Sequence, residues 1–109
     1  MKKTKLGEFE EFVLLTVIVL DDDAYGVMIR SELEKRMNTR LSVGSVQSAL
    51  KRMEEKGFLK SWFGDASPKR GGKRKRIYQA TPYAVKVLEE IKTIREGLWS
   101  QIQLVTCYA

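Results

Sequence analysis

Ser42–Ala80, SVGSVQSALKRMEEKGFLKSWFGDASPKRGGKRKRIYQA, is the stretch that decides the fold. Ser42 can cap a helix over Val43–Lys56, whose apolar positions Val46, Ala49, Leu50 and Met53 follow i, i+3, i+4, i+7 spacing. Gly57 then stands where a helix C-terminus favours a left-handed residue. Beyond it the period changes. Phe58–Phe63 (FLKSWF) and Arg76–Ala80 (RIYQA) are short aromatic or β-branched runs separated by a Gly/Pro/Lys/Arg-rich segment, which reads as a hairpin. Its tip, Lys69–Arg76, is KRGGKRKR, six basic residues in eight. The chain has 20 Lys+Arg and 14 Asp+Glu, so the rest of it carries 14 of each sign and the net +6 lies in this loop. One cationic finger on a neutral body points to a polyanion. Gly71-Gly72 lets the tip bend and lets backbone approach a phosphate closely.

Working back from Ser42, a helix is expected from about Ala24 to Met37 with Tyr25, Met28, Ile29 and Leu33 inward, then a short connection at Asn38–Leu41. Asp21-Asp22-Asp23 is read as the N-cap and favourable charge at the start of that helix rather than as a metal site. Glu8–Leu20 carries a helical stripe at Phe9, Phe12, Val13, Thr16, Val17 and Leu20 that spreads to Leu14, Leu15, Ile18 and Val19, an apolar face wide enough for a partner chain. Working forward, Thr81-Pro82 starts a helix of roughly twenty residues. In it Ala84, Val87, Ile91, Ile94 and Leu98 step by three, four, three and four, Val105 resumes the register, and Leu88, Trp99 and Ile102 widen the stripe. So long a seam on so small a domain predicts a dimer.

The order is helix, helix-turn-helix, two-stranded wing, long helix. The expected class is mainly α, an α+β winged helix-turn-helix with a three-helix core, a two-stranded β-wing and a long C-terminal dimerisation helix. Residues 1–81 are expected to form the DNA-binding domain and 82–109 the dimerisation helix and tail. In this architecture the third helix enters the major groove and the wing reaches an adjacent groove and the backbone. The free face of Val43–Lys56 carries Ser45, Gln47, Ser48, Lys51 and Arg52 as candidate readers of base edges or phosphates. Lys69, Arg70, Lys73, Arg74 and Lys75 are candidate phosphate contacts, and Arg76 can point either way. Tyr25 is either a phosphate contact or a core aromatic. Lys2, Lys3 and Lys5 are either a flexible arm or solubilising. The dimer seam is assigned to Phe9, Phe12, Val87, Ile91, Ile94, Leu98 and Ile102.

The 109 residues suffice for one domain with an appended helix, and their 43% hydrophobic content supplies a core. No apolar run is long enough to span a membrane, and Met1–Lys5 leads into an amphipathic stretch rather than a signal. The single Cys107 forms no internal disulfide, which fits a reducing cytoplasm. With no His and no nucleophile or phosphate-loop motif, catalysis is not expected, nor are cofactors or metals. Glu54-Glu55 and Glu89-Glu90 read as solvated ion pairs.

The chain resembles the PadR-like transcriptional regulators in their short form. The resemblance rests on Leu6-Gly7-Glu8 with Val13-Leu14-Leu15, Ala24-Tyr25-Gly26 with Ile29 and Leu33, Gly44-Ser45-Val46, Leu50 with Arg52-Met53-Glu54, and Lys56-Gly57-Phe58-Leu59. The wing from Gly64-Asp65 through Arg70–Arg76 and Tyr78, and then Thr81-Pro82, complete it. Gln47-Ser48 departs from the aromatic-proline pair usual there, so no base preference carries over. The resemblance implies a homodimer built from the first and last helices that represses nearby genes from a short inverted repeat in double-stranded DNA. For several members it also implies a small hydrophobic or aromatic effector at the dimer interface. Trp99 and Leu15 are the candidate lining for one here. The alternative from another class is a winged-helix adaptor offering its basic wing to an acidic protein, which competition by duplex DNA would separate.

Overall fold

The structure, a computed structural model, describes residues 6–64 and 74–106, with side chains of the last helix to residue 102. Helix α1 (Glu8–Leu20) leads through one 3-10 turn, Asp21–Asp23, to α2 (Gly26–Met37) and α3 (Val43–Glu55). The antiparallel strands β1 (Leu59–Phe63) and β2 (Arg76–Ala80) follow, and α4 (Pro82–Thr106) ends the chain. This is the expected winged helix-turn-helix order.

The three-helix core forms because each helix has a stripe at helical spacing: Val13, Leu14 and Val17 on α1, Ile29 and Leu33 on α2, Val46, Ala49, Leu50 and Met53 on α3. Phe58, Leu59, Tyr78, Ala84 and Leu88 close it from the hairpin and α4.

The junction after α3 follows its sequence signal. Gly57 has φ +84°, its N–H donates to Glu54 O at 3.1 Å, and Phe58 N–H donates to Met53 O at 2.8 Å. That is a Schellman termination, which satisfies orphan carbonyls and turns Phe58 into the core. Thr81 binds back to the same junction, its hydroxyl donating to Gly57 O at 2.7 Å while accepting the Ala84 N–H at 3.2 Å. Tyr83 stacks on Phe58 with ring centroids 5.1 Å apart.

Three expectations change. Helix α2 starts at Gly26 rather than Ala24, because Ala24 and Tyr25 are held non-helical by β2: Tyr78 N–H donates to Ala24 O at 2.8 Å, and the extended Tyr25 forms a bridge with Ile77. The acidic triplet therefore does not cap α2. Tyr25 occupies the cap position with no side-chain cap, and the three Asp residues form the separate 3-10 turn. Finally, α4 is 25 residues long rather than about twenty. From Lys92 onward every described side chain of α4 is exposed, although Arg95 still reaches Glu11 of α1 at 2.8 Å. The radius of gyration, 16.5 Å, reflects that projecting helix, since a compact chain of this length would give about 13 Å.

Because Phe58 is fully buried at the meeting point of α3, β1 and α4, Phe58→Ala should cost about 3–5 kcal/mol in urea unfolding. Val27→Ala, at a position 73% exposed, should stay within about 0.5 kcal/mol.

Candidate nucleic-acid interface

The amphipathic spacing of α3 sends its apolar stripe into the core and leaves Ser45, Gln47, Ser48, Lys51 and Arg52 exposed on one continuous face. Two of these five have local duties. The Ser45 N–H donates to Ser42 Oγ at 3.0 Å and its hydroxyl donates to Ser42 O at 2.9 Å, so cap and third residue satisfy each other. Arg52 Nε donates to Glu10 Oε2 of α1 at 3.0 Å, while half the side chain stays exposed. Gln47 lies against the start of α2, where a Cβ on Gly26 would stand 2.9 Å from its Nε2, so glycine gives that amide its room. The side chains of Gln47, Ser48 and Lys51 have no hydrogen-bond or ion-pair partner among the described residues.

Glu10 organises this face from behind, and the sequence reading did not single it out. It is only 5% exposed, yet it accepts from the Gly7 N–H at 2.9 Å, from Arg52, and from Lys56 Nζ at 3.2 Å. A buried carboxylate with three donors is stable where an unpartnered one is not. Burial alone would raise its pKa, but the Gly7 N–H, Arg52 and Lys56 together outweigh that and hold it below the usual 4.5. The signal was present: Glu10 falls on the stripe of Val13, Leu14 and Val17, at spacings of three, four and seven, where an acid faces inward and must find a partner.

The wing carries the other cations. In the antiparallel register Phe63 pairs with Arg76, Ser61 with Tyr78 and Leu59 with Ala80. Directly opposed residues share a face, and this face joins α3 where Ser61 Oγ donates to the Glu54 carboxylate at 2.8 Å. Glu54 is thus a hydrogen-bond anchor for β1 rather than the solvated ion pair expected. Arg76 belongs to the same face, its Nε donating to Ser61 Oγ at 2.9 Å. Arg74 Nε donates to Gly64 O at 3.0 Å. On the other face the Lys75 ammonium sits 3.4 Å from the centre of the Tyr25 ring, and Tyr25 is half-buried and bridged to Ile77. Lys69, Arg70 and Lys73, like Lys2, Lys3, Lys5 and Cys107, lie outside the described residues.

Among the described residues no group of three or more His, Cys, Asp or Glu side chains is placed to hold a metal ion, and no helix is long and apolar enough to cross a membrane.

A helix-turn-helix whose second helix presents a small, polar, basic face beside a two-stranded wing defines a winged helix-turn-helix protein. The model of the transcriptional regulator PadR-like family matches residues 14–90, and the chain belongs to that family. A solved PadR-like transcription factor from Bacteroides fragilis has the same fold, with a TM-score of 0.70 at 18% identity over 89% of this chain and 88% of that one. A PadR-like transcriptional regulator from Bacillus cereus gives 0.67 at 20% identity over 85% and 88%. A PadR family transcription regulator from Clostridium difficile is 29% identical, with a TM-score of 0.59 over 86% of this chain and 92% of that one. The chain is accordingly a DNA-binding transcription regulator and not an enzyme.

Replacing Glu10 by Gln should destabilise the fold by about 1–3 kcal/mol at neutral pH, since Arg52 and Lys56 lose their buried acceptor charge. The folded pKa lies below 4.5, so the carboxylate's stabilisation is fully present above that value and disappears as pH falls through the folded one. Urea titrations of both proteins should therefore differ at pH 7 and converge on acidification below pH 4.5.

Proposed function

We propose that the protein is a homodimeric repressor that binds a short inverted repeat in duplex DNA. Gln47, Ser48 and Lys51 give sequence preference, with Ser45 and Arg52 at the ends of that face. Lys69, Arg70, Lys73, Arg74 and Lys75 hold phosphates, and Tyr25 positions Lys75 at the wing root. The observation that carries the proposal is the separation of surfaces. The polar face of α3 is free beside the basic wing, and a second, apolar surface lies elsewhere on α1 and α4.

That second surface supports the dimer. Phe9 and Val87 are half-buried against the chain's own core, and Ile91 is half-buried. Phe12, Ile94, Leu98 and Ile102 are exposed, with Leu98 at 62%. Large apolar side chains at such spacing on a projecting helix are the expected half of a helix–helix interface. Residues 82–109 then act as the dimerisation helix and tail, and the pairing fixes the distance between two recognition helices near one turn of DNA. Occupancy of an inverted repeat near a promoter would exclude polymerase, which is the proposed repressor's action in the cytoplasm.

An effector site fits beside the same surface. Leu15 lines an apolar groove of about 480 Å³ with Phe12, Thr16, Val19, Leu33, Arg36 and Met37. Trp99, 62% exposed on α4, is not part of that groove within one chain. A partner's α4 laid on α1 would bring Trp99 towards it, and a small hydrophobic or aromatic molecule there would shift the spacing of the recognition helices.

Two experiments test this reading. Leu98→Glu should turn the dimer into a monomer in sedimentation and abolish tight binding to fragments of the protein's own upstream region. An unchanged mass would remove the α4 dimer. Gln47→Ala with Lys51→Ala should erode the preference for one upstream fragment over random duplex, whereas neutralising Lys73, Arg74 and Lys75 should weaken both duplexes alike and flatten the salt dependence. Equal losses from both sets would defeat the division of roles.

A further inference from the structure

Phe63 is a large aromatic at the end of β1, 52% exposed, on the face of the wing that continues from α3. A single exposed aromatic needs no explanation. This one is flanked by two cations. The Arg76 guanidinium lies 5.0 Å from the ring centre and that of Arg74 lies 5.9 Å from it. Each guanidinium is also held along its stem side. Arg76 Nε donates to Ser61 Oγ, which is itself tied to Glu54 of α3. Arg74 Nε donates to Gly64 O at 3.0 Å and its Nη2 to Phe63 O at 3.2 Å. Two like charges gathered around one ring repel each other, so the arrangement is one that gains most when an anion meets them together. It also fixes two long side chains before binding, and ordering such side chains is one of the main costs of association.

We propose that Phe63 is a positioning residue for DNA binding: its ring holds Arg74 and Arg76 as a pre-ordered pair, on the α3 side of the wing, for neighbouring phosphates of duplex DNA. The ring acts through the two guanidiniums and does not itself meet the duplex. Each cation–π contact at an exposed site is modest, but the two act on the same event. The inference rests on the wing reaching the DNA backbone, and the test separates the two.

The test is anisotropy of a labelled random-sequence duplex at roughly 50 and 200 mM salt with the full chain and its variants. Arg74→Gln with Arg76→Gln should weaken binding and reduce the salt slope. If neither changes, Arg74 and Arg76 do not meet DNA and the proposal fails. Phe63→Leu keeps both charges and most of the apolar bulk, so it should weaken binding about fivefold with the salt slope retained and thermal stability unchanged. Phe63→Tyr, which keeps the ring face, should restore affinity to within about twofold. Added to the double glutamine variant, Phe63→Leu should have no further effect. Wild-type affinity for Phe63→Leu, no rescue by Tyr, or a full additional loss in the double glutamine background would each overturn the positioning role while leaving the wing's contact with DNA standing.

Discussion

The left-handed turn at Gly57, with Phe58 thrown into the core behind it, is the constraint on which the rest of the structure depends. It ends α3, starts β1, and accepts the Thr81 hydroxyl that caps α4. Helix α3, the wing and α4 therefore leave from one fixed point, and none can pivot without breaking one of these hydrogen bonds or moving the buried Phe58. A side chain at Gly57 would be strained at φ +84° whatever space surrounds it. On the proposed reading, helix α3 and the wing meet two parts of one duplex together, so fixing them to each other beforehand lowers the ordering cost of binding.

A second organising theme is electrostatic. Several of the candidate DNA-facing cations are held by acids placed behind them. Glu10 holds Arg52 and Lys56 at the C-terminal end of α3, and Glu54 holds Ser61, which in turn holds Arg76. The side chains of Gln47, Ser48 and Lys51 have no such partner among the described residues. Glu10 and Glu54 thus fix Arg52, Lys56 and Arg76 to the scaffold, while backbone carbonyls hold Arg74 and the Tyr25 ring holds Lys75. The two carboxylates differ in depth, since Glu10 is almost wholly buried and Glu54 only half.

Helix α4 divides into two parts. Ala84 and Leu88 belong to the core, while Ile94, Leu98 and Trp99 are among the most exposed apolar residues in the chain. A single chain cannot bury both ends of so long an arm, because its own core is exhausted by the third turn. The apolar seam thereby asks for another surface, and the wide stripe of α1, with Phe12, Leu15, Ile18 and Val19 still exposed, offers one of matching character.

Much of this was legible in the sequence because the signals are local. Ser42 as a cap, Gly57 as a C-terminal stop, Thr81-Pro82 as a start, and the change from helical period to a short aromatic run after Gly57 are near-neighbour signals, and each stands in the structure as read. The polar face of α3 follows from periodicity alone. Contacts between residues far apart in the chain were not legible. Glu10 and Arg52 are 42 positions apart, and nothing local says which cation a buried acid will choose. The acidic triplet looked like a helix cap because Asp is a good one, but pairing of Ala24 and Tyr25 with β2 displaced the helix start and outweighed that preference. The sequence by itself determined which segments are helix, turn and wing, since capping and periodicity are near-neighbour physics. Only the tertiary structure decided which charges are held and which are free, because burial and partner choice depend on the packing of the whole chain.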